Sequence, residues 1–301
     1  MIRLEDTSGS DIARAIDHER HRMGSPATGM VMTLLILTDE EYASDATEAA
    51  VLSARQHPMR ILTLIPRPGR GPDQIDAQIM VGGDDGPGEV AIVRLRGNRS
   101  THANSLVIPL LLPDTPVIAW WPAEAPPVLA DDPIGRHAQR RITDMSTAAD
   151  VYAALAERRA GYVPGDTDLS WARLTSWRSA LASLLDYGNY EITSGRVTAE
   201  PDSASALLLQ AWLRLRLGVD VEVCVDDGPG ITDVTLSGPR GDLRISRPDG
   251  TVASLGRPGL PDNPIALPRR PLPDLLSEEL RRLDPDEVYG EVLHETGGTS
   301  A

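Results

Sequence analysis

Two uninterrupted apolar segments lie near the start of the chain, with a stretch of helical periodicity between them. The segments "MVMTLLILT" (30–38) and "MRILTLIP" (59–66) have the length of strands and lack polar alternation, which is typical of strands covered on both faces. Residues 39–58 between them predict a helix that begins with acids and ends at Pro58. The pattern therefore predicts a β-α-β unit with parallel strands and a right-handed crossover.

The remainder of the first half also alternates helix and strand patterns. Residues 8–23 predict an amphipathic helix with Ser8 or Ser10 as its N-cap. Its inner face consists of three apolar residues, Ile12, Ile16 and Met23. The later elements are the strands "AQIMVGG" (77–83) and "EVAIVRLRG" (89–97), the helix "STHANSLVIPLLLPD" (100–114) and the strand "TPVIAWWP" (115–122). This half is predicted to be an open α/β sheet with helices on its faces.

The second half mixes helices with short strands that are separated by turn residues. Its predicted elements are a helix (166–186), a strand (190–200), a helix (203–218), four strands (219–227, 230–238, 242–248 and 251–256) and closing helices (274–295). The predicted fold class is α/β with two domains. Residues 1–165 form an open mixed, partly parallel α/β sheet, and residues 166–301 form an α+β domain with an antiparallel meander and C-terminal helices.

The composition removes several classes of function. The chain of 301 residues has a net charge of −15, which disfavours binding to nucleic acid. It contains no lysine, which excludes Schiff-base and P-loop chemistry. Its single cysteine, Cys224, excludes an intrachain disulfide and a multi-cysteine metal site. No segment has the length of a membrane span and the start lacks a secretory signal, so the sequence predicts a cytoplasmic protein.

A search for catalytic motifs gives negative results. The turn after the first apolar strand reads "LTDEEYASDA" and not GxGxxG, which argues against a dinucleotide there. His18 and His21 lie one helical turn apart, but nothing nearby completes a metal shell. "DDGPG" occurs at 84–88 and 226–230, where turn chemistry explains it better than a domain repeat. The sequence predicts no catalytic residues, no cofactor and no metal.

Two pairs of charged residues remain as candidates for chemistry. Asp166 and Asp168 are the best carboxylate pair, although their position at a helix start favours capping over acid–base work. Arg140 and Arg141 have the geometry to hold a phosphate or a partner's carboxylate. Their alternative is an internal ion pair with Asp144 or with an acid of the loop that follows Pro122.

The adjacent tryptophans Trp120 and Trp121 end the last apolar strand of the first half. Side chains alternate along a strand, so these two rings point to opposite faces. The alternation predicts that one of them leaves the core. That ring then lines a pocket or contacts another protein.

Six segments together resemble the OpcA family, the glucose-6-phosphate dehydrogenase assembly proteins of actinobacteria and cyanobacteria. These segments are "HPMRILTLI", "GPGEVAIVRLRG", "VIPLLLPDTPVIAWWP", "DPIGRHAQRRITD", "YVPGDTDLSWARLTSWRSALASLLD" and "LSEELRRLDPDEVY". The resemblance covers the chain from about residue 50 to about residue 290, in the family's order. It implies a non-catalytic accessory protein that binds glucose-6-phosphate dehydrogenase and promotes its assembly into the active oligomer, in support of the oxidative pentose phosphate pathway.

A partner surface is predicted at the end of the 117–121 strand, the 122–135 loop and the 162–171 segment, because aromatic residues and arginine are enriched at interface anchors. The candidate partner-binding residues are Trp120, Trp121, Arg140, Arg141, Tyr162, Asp166, Asp168 and Trp171. The alternative for Trp120 and Trp171 is packing between the two domains.

Two other functions stay open. One is a sugar-phosphate or nucleotide sensor with Arg140 and Arg141 on the phosphate. The other is a hydrolase that uses Asp166 or Asp168. Cys224 is expected to be a buried, inert thiol.

Overall fold

The structure, a computed structural model, describes residues 1–22, 29–69, 71–82, 88–186, 188 and 190–298. The predicted inner-face residue Met23 and most of the first "DDGPG" segment lie outside the described residues. The chain divides into two compact units. Unit 1 comprises Met1–Asp144, Val163–Thr167 and Leu272–Pro285, and unit 2 comprises Met145–Tyr162, Asp168–Pro271 and Asp286–Ala301. The domain boundary between residues 165 and 166 stays a prediction.

The described residues form strands and helices in the order that follows. The strands are β1 (Ile2–Leu4), β2 (Met32–Leu37), β3 (Met59–Arg67), β4 (Gln74–Val81), β5 (Gly88–Arg96), β6 (Val117–Trp121), β7 (Arg140–Thr143), β8 (Asp166–Asp168), β9 (Ser194–Ala199), β10 (Val221–Val225), β11 (Ile231–Ser237), β12 (Leu243–Ser246), β13 (Val252–Gly256) and β14 (Asn263–Ala266). The α-helices are α1 (Gly9–Arg22), α2 (Glu40–Ser53), α3 (Ala103–Val107), α4 (Val151–Ala160), α5 (Leu169–Ala172), α6 (Thr175–Asp186), α7 (Ala204–Leu217), α8 (Leu272–Leu280) and α9 (Glu287–Glu295).

An eight-stranded mixed sheet has the order β1-β4-β5-β3-β2-β6-β7-β8. The five adjacent strands from β5 to β7 run parallel to one another. The predicted parallel pair β2 and β3 is confirmed, and β4 pairs antiparallel with β5 around the predicted turn. The sequence missed β1, a three-residue strand that pairs antiparallel with β4.

Two helix predictions in the first half are wrong in extent. Helix α2 ends at Ser53 and not at Pro58. Residues 54–56 continue as turns, and Pro58 restricts only the backbone of His57, the residue directly before it. The predicted helix over 100–114 consists of short pieces, with 3₁₀ turns at Gly97–His102 and Ile108–Leu110 on either side of α3. Pro109 lacks the amide that a continuous helix would need.

Both tryptophans of β6 are buried, so the prediction that one of them leaves the core is wrong. Trp120 is 0% exposed and Trp121 is 3% exposed. The strand β6 lies between β2 and β7 inside the sheet, and all five of its residues are buried. Alternation does separate the two rings, but it places them on two covered faces of the sheet.

A six-stranded sheet in the second half has the order β10-β9-β11-β12-β13-β14. Its strands β11 to β14 form the predicted antiparallel meander. The pair β9 and β10 is parallel. The sequence missed β14 because Pro264 made its segment read as a connection, whereas an edge strand tolerates proline.

The predicted helix over 166–186 is divided into three elements, β8, α5 and α6. Five apolar residues that the sequence places at helical spacing in this segment are nevertheless buried, namely Leu169, Leu174, Trp177, Leu181 and Leu184. Together with α7, α9 and the inner face of the six-stranded sheet, α6 forms the core of unit 2. Among the helices of the described residues, none combines the length and the apolar character that crossing a bilayer requires.

Candidate functional site

The parallel strands of unit 1 follow the doubly wound order, in which strand order reverses next to the first strand of the parallel set. Proteins with this order bind ligands outside the carboxyl ends of the strands at that reversal, and dinucleotides sit on a glycine-rich first turn. In this chain the first parallel strand is β2, and residues 38–39 connect it to the first turn of α2. This turn is therefore the place to test for a nucleotide cofactor.

The residues of this turn do not fit a dinucleotide. Asp39 caps α2, and its Oδ1 accepts hydrogen bonds from the amides of Glu41 (3.0 Å) and Tyr42 (3.1 Å). The carboxylate of Glu40 pairs with Arg94 and Arg67, each at 2.7 Å. A pyrophosphate at this helix start would meet occupied amides and three acids in place of free donors.

The charge of Glu40 is stabilised at this position. The hydrogen bond from Arg94, with a further contribution from Arg67, holds the pKa of Glu40 below its usual value despite partial burial. The carboxylate is thus ionised near neutral pH as the shared partner of Arg94 and Arg67.

Arg140, at the start of β7, is buried and bonds within unit 1 through both of its Nη atoms. Its Nη2 donates to the Glu279 carboxylate, and its Nη1 donates to the carbonyl oxygen of Asp284 at 2.9 Å. Both side chains of the ion pair are at least nine-tenths buried. Burial raises the pKa of Glu279, and Arg140 offsets only part of that effect. This arginine fixes the segment after α8 to the sheet.

Arg141 holds the next turn of the chain in unit 1. It donates from Nε to Asp166, from Nη1 to the Ala138 carbonyl (2.8 Å) and from Nη2 to the Pro164 carbonyl (2.9 Å). Asp166 in turn accepts from the amide of Val163 at 2.9 Å. The guanidinium groups of Arg140 and Arg141 are thus committed to internal partners, as one predicted alternative expected, although Glu279 and Asp166 were not the partners predicted.

Gly165 is required by the geometry of this turn. Its φ of +100° lies in the left-handed region. A Cβ at this position would lie 2.5 Å from the carbonyl oxygen of Gln139 and 3.1 Å from Nη2 of Arg141. The glycine of the "PGD" sequence therefore allows this turn to lie close to β7.

Asp168, in unit 2, is the N-cap of α5, which confirms the capping prediction for this residue, whereas Asp166 lies in β8 and caps no helix. Its Oδ1 accepts from the amide of Ser170 at 2.7 Å, and its Oδ2 accepts from the amide of Met145 at 3.0 Å. The carboxylate is completely buried. Both oxygens are used by backbone donors, so the arrangement does not suit acid–base catalysis.

Trp171 and Tyr162 belong to an aromatic cluster in unit 2. The indole nitrogen of Trp171 donates to Asp286 at 2.8 Å, and the Arg178 guanidinium lies 3.7 Å from the ring centroid. The ring of Tyr289 is 6.0 Å from Trp171 and 6.1 Å from Tyr162. Asp286 is also the N-cap of α9, so the indole helps to hold that helix start.

Trp121 lies beneath the loop that follows its strand. The apolar residues Leu129, Ile134 and Ala138 of that loop share a core cluster with Trp121. Gly135 approaches so closely that an added Cβ would lie 3.2 Å from Cη2 of Trp121 and 1.9 Å from the carbonyl oxygen of Leu129. Packing against Trp121 therefore fixes the loop of residues 122–139.

The eight predicted residues fall into two internal groups. Unit 1 holds Trp120, Trp121, Arg140, Arg141 and Asp166, and unit 2 holds Tyr162, Asp168 and Trp171. Of these, Tyr162 alone is half-buried, and the other seven are buried. The first group supports exposed residues of the loop after β6, which the sequence included in the predicted partner surface as residues 122–135 without naming single residues. They are Glu124, Pro127, Asp131, Pro133 and Arg136, which we call the loop surface.

The described residues contain no group of three or more side chains able to hold a metal ion. His21, of the predicted His18 and His21 pair, contacts the carbonyl oxygen of Asp17 at 2.6 Å through Nδ1.

Two family models match the chain over neighbouring ranges. Residues 50–160 match a model described as the N-terminal domain of the glucose-6-phosphate dehydrogenase subunit. Residues 164–293 match a model described as the C-terminal domain of the same subunit. No curated protein matches the sequence.

A similar solved structure is a mutant 3-ketoreductase from Actinomadura kijaniata in complex with TDP-benzene and NADP. Its TM-score is 0.50 at 13% identity, over 88% of this chain and 95% of that chain. At this identity the likeness shows a shared fold alone.

Proposed function

The chain belongs to the OpcA family of glucose-6-phosphate dehydrogenase assembly proteins, and from that premise we propose that it binds the dehydrogenase through the loop surface and catalyses no reaction itself. It is an accessory protein for the assembly of that enzyme. The observation that carries this function is the match of both family domains, in order, over residues 50–160 and 164–293.

Assembly by such a protein follows from linkage. A protein that binds the active oligomer more tightly than the inactive form shifts the equilibrium towards the active one. A binding protein at a free concentration of 100 times its dissociation constant stabilises the form that it binds by about 2.7 kcal/mol. No chemical step on a substrate is required, because differential affinity alone supplies the free energy.

Three features of the chain support a non-catalytic role. The first βα turn holds acids and capped amides where the related fold binds dinucleotides. The carboxylate oxygens of Asp166 and Asp168 accept hydrogen bonds from Arg141 and from backbone amides. The sequence has no lysine, which removes the amine nucleophile. The proposal includes the cytoplasmic location that the sequence predicts, and no nucleic-acid partner, in line with the charge of −15.

The loop surface has the properties of a recognition segment. Its residues belong to the long connection between β6 and β7, which contains no strand. Long loops often carry function when a rigid scaffold positions them. Trp121 and Arg141 fix the loop at both ends, at its start by packing and at Ala138 by a hydrogen bond. A loop held in this way loses little conformational entropy on binding, which favours affinity.

The eight residues predicted to bind the partner have an indirect role in this proposal. Seven of them are buried, so in this proposal they do not contact the dehydrogenase. In unit 1, Arg141 and Asp166 hold the turn beside β7, and Trp121 supports the loop. Substituting these residues would change stability and binding together.

Charge reversal at Arg136 tests the loop surface. Arg136 is exposed, and its Nη2 donates a weak hydrogen bond to the carbonyl oxygen of Asp131 at 3.5 Å. We expect Arg136→Glu to raise the dissociation constant for purified glucose-6-phosphate dehydrogenase at least tenfold, which corresponds to about 1.4 kcal/mol. Biolayer interferometry with immobilised dehydrogenase measures this change.

The matched control is Arg55→Glu, the same change at an exposed arginine of unit 1 after α2. Both variants should keep the melting temperature of the wild type, and Arg55→Glu should bind normally. Wild-type binding by Arg136→Glu would place the interface elsewhere. An equal loss in both variants would show a general charge effect.

A further inference from the structure

The outer strand β10 of the six-stranded sheet differs from the other strands that end a sheet in this chain. The strands β1 and β8 have three residues each, and β14 contains Pro264, which lacks an amide. Natural proteins limit pairing at sheet edges with such short strands and prolines. The strand β10 has five residues and no proline, so its edge is able to pair with a further strand.

The backbone groups of Val223 and Val225 face away from the sheet. On the inner side, β10 pairs in parallel with β9, and the amide of Asp226 donates to the carbonyl oxygen of Ala199 at 2.9 Å. Alternate residues of a strand form their backbone bonds on opposite sides. Even-numbered residues of β10 therefore bond to β9, and odd-numbered residues present their amides and carbonyl groups outward.

The usable edge is limited to residues 223–225. The outward carbonyl oxygen of Val221 already accepts a hydrogen bond from Nε2 of Gln210 at 2.7 Å. Val221 and Val223 contact the core of unit 2, whereas Val225 is 67% exposed. A strand paired at this edge would cover Val225 as well as bond to the backbone, and burial of apolar surface favours binding.

The charges beside this edge are predominantly negative. Residues 218–228 contain no arginine and four acids, which are Asp220, Glu222, Asp226 and Asp227. Glu222 forms an ion pair with Arg196 at 2.5 Å, so one base lies against four acids. A strand that carries basic side chains is therefore complementary to this edge, and complementary charge favours the correct partner over others.

A second copy of β10 does not have this complementarity. A two-fold antiparallel pair that uses the outward groups of Val223 and Val225 places Glu222 opposite Asp226 of the other copy. Like charges in directly opposite positions destabilise a pair of strands. The net charge of −15 on each chain adds to the repulsion.

We propose that the outer edge of β10 binds an extended, basic segment of another protein as an additional strand. Main-chain hydrogen bonds at Val223 and Val225 provide affinity in such strand addition, and alternate side chains provide specificity. Basic side chains of the segment lie on the face of Glu222, and apolar ones lie on the face of Val225. The edge belongs to unit 2 and shares no residue with the loop surface, so the inference goes beyond the proposed function and does not depend on it.

A blocked heptapeptide of sequence RVRVRVR is the probe for this edge. It is titrated into the isotope-labelled full chain at constant ionic strength, and amide chemical shifts are recorded by NMR. We expect saturable shifts that are largest at the amides of Val223 and Val225. The peptide EVEVEVE, which has the same pattern with acidic side chains, should cause none of them, because it meets the acids of the edge.

Two variants test the backbone and the charge separately. Val223→Pro removes an outward amide that β9 does not use, so we expect an unchanged melting temperature and about tenfold weaker peptide binding. Asp227→Asn should weaken binding about threefold, because it removes one exposed acid of the edge. Asp242→Asn, the same change at another exposed residue of unit 2, is the matched control and should bind normally.

The absence of saturable shifts with RVRVRVR would overturn the proposal, and so would equal shifts with EVEVEVE. An equal loss of binding in Asp242→Asn would do the same, because it would show a response to overall charge. Sedimentation equilibrium of the chain alone tests a second copy at this edge. A dimer that Val223→Pro abolishes would assign the edge to a second copy and contradict the proposal.

Discussion

The two pairs of arginines in this chain differ in what surrounds them. Arg140 and Arg141, the paired arginines, each contact a carboxylate in unit 1. Arg247 and Arg269, the unpaired arginines of unit 2, have no carboxylate within ion-pair distance among the described residues. Arg247 donates to the carbonyl oxygens of Leu267 and Ile231, and Arg269 is exposed. Adjacent arginines in a sequence attract attention as a ligand site, yet here Arg140 and Arg141 hold the fold through their internal carboxylates.

The largest expected effect comes from breaking the ion pair of Arg140. Glu279→Ala leaves a buried guanidinium without its carboxylate, which costs about 3–5 kcal/mol. Urea unfolding of the purified variant measures the loss. A change below about 1 kcal/mol would show that the pair behaves like an exposed surface ion pair and would remove the contrast with the unpaired arginines.

A substitution in the turn that Arg141 holds should cause the next largest loss of stability. Gly165→Ala forces a side chain into a left-handed backbone conformation and against the Gln139 carbonyl, at a cost of about 1–3 kcal/mol or more. Thermal unfolding gives the change. Gly259→Ala, at φ of +72° with no described atom within 4 Å of the added Cβ, is the control and should lose less.

The pH dependence of the free energy of unfolding tests the ion pair of Arg140 and Glu279. Burial raises the pKa of Glu279 above its ordinary value of 4.5. A raised pKa in the folded state contributes stability that is present below pH 4.5 and is lost as the pH rises through the folded value. We expect the free energy of unfolding of the wild type, relative to Glu279→Gln, to fall with rising pH above 4.5. A difference that rises instead would mean that Arg140 outweighs burial.

The smallest expected effect belongs to the unpaired arginines. Arg269→Ala should change the free energy of unfolding by no more than about 0.5 kcal/mol, because the side chain is exposed and pairs with no acid of the described ranges. Chemical denaturation in chloride buffer tests this. A loss comparable with that of Glu279→Ala would mean that Arg269 is as structural as Arg140.

Local features of the fold were predictable from the sequence. Asp168 was predicted as a cap because capping depends on residues two or three positions away. The parallel unit of β2 and β3 followed from two apolar segments around an amphipathic helix. The alternation of Trp120 and Trp121 was also right, but the exposure of one ring was not, since burial depends on what covers the sheet.

Contacts distant in the sequence explain the rest. Arg140 and Glu279 are 139 residues apart, and Trp171 and Asp286 are 115 apart. No local pattern identifies such partners, so the candidate site appeared to consist of exposed anchors. The 122–135 loop was predicted as part of the partner surface, but its support was not, because Trp121 fixes the loop only once Leu129, Ile134 and Ala138 fold over the ring.

The function of the chain is tested most directly by its effect on the dehydrogenase. Purified glucose-6-phosphate dehydrogenase is titrated with this protein, and enzyme activity and oligomer mass are measured in the same samples, the mass by analytical ultracentrifugation. We expect activity and the fraction of large oligomer to rise together and to saturate, and Arg136→Glu to require a higher concentration for the same effect. An unchanged activity and an unchanged mass at saturating protein would contradict the assembly function.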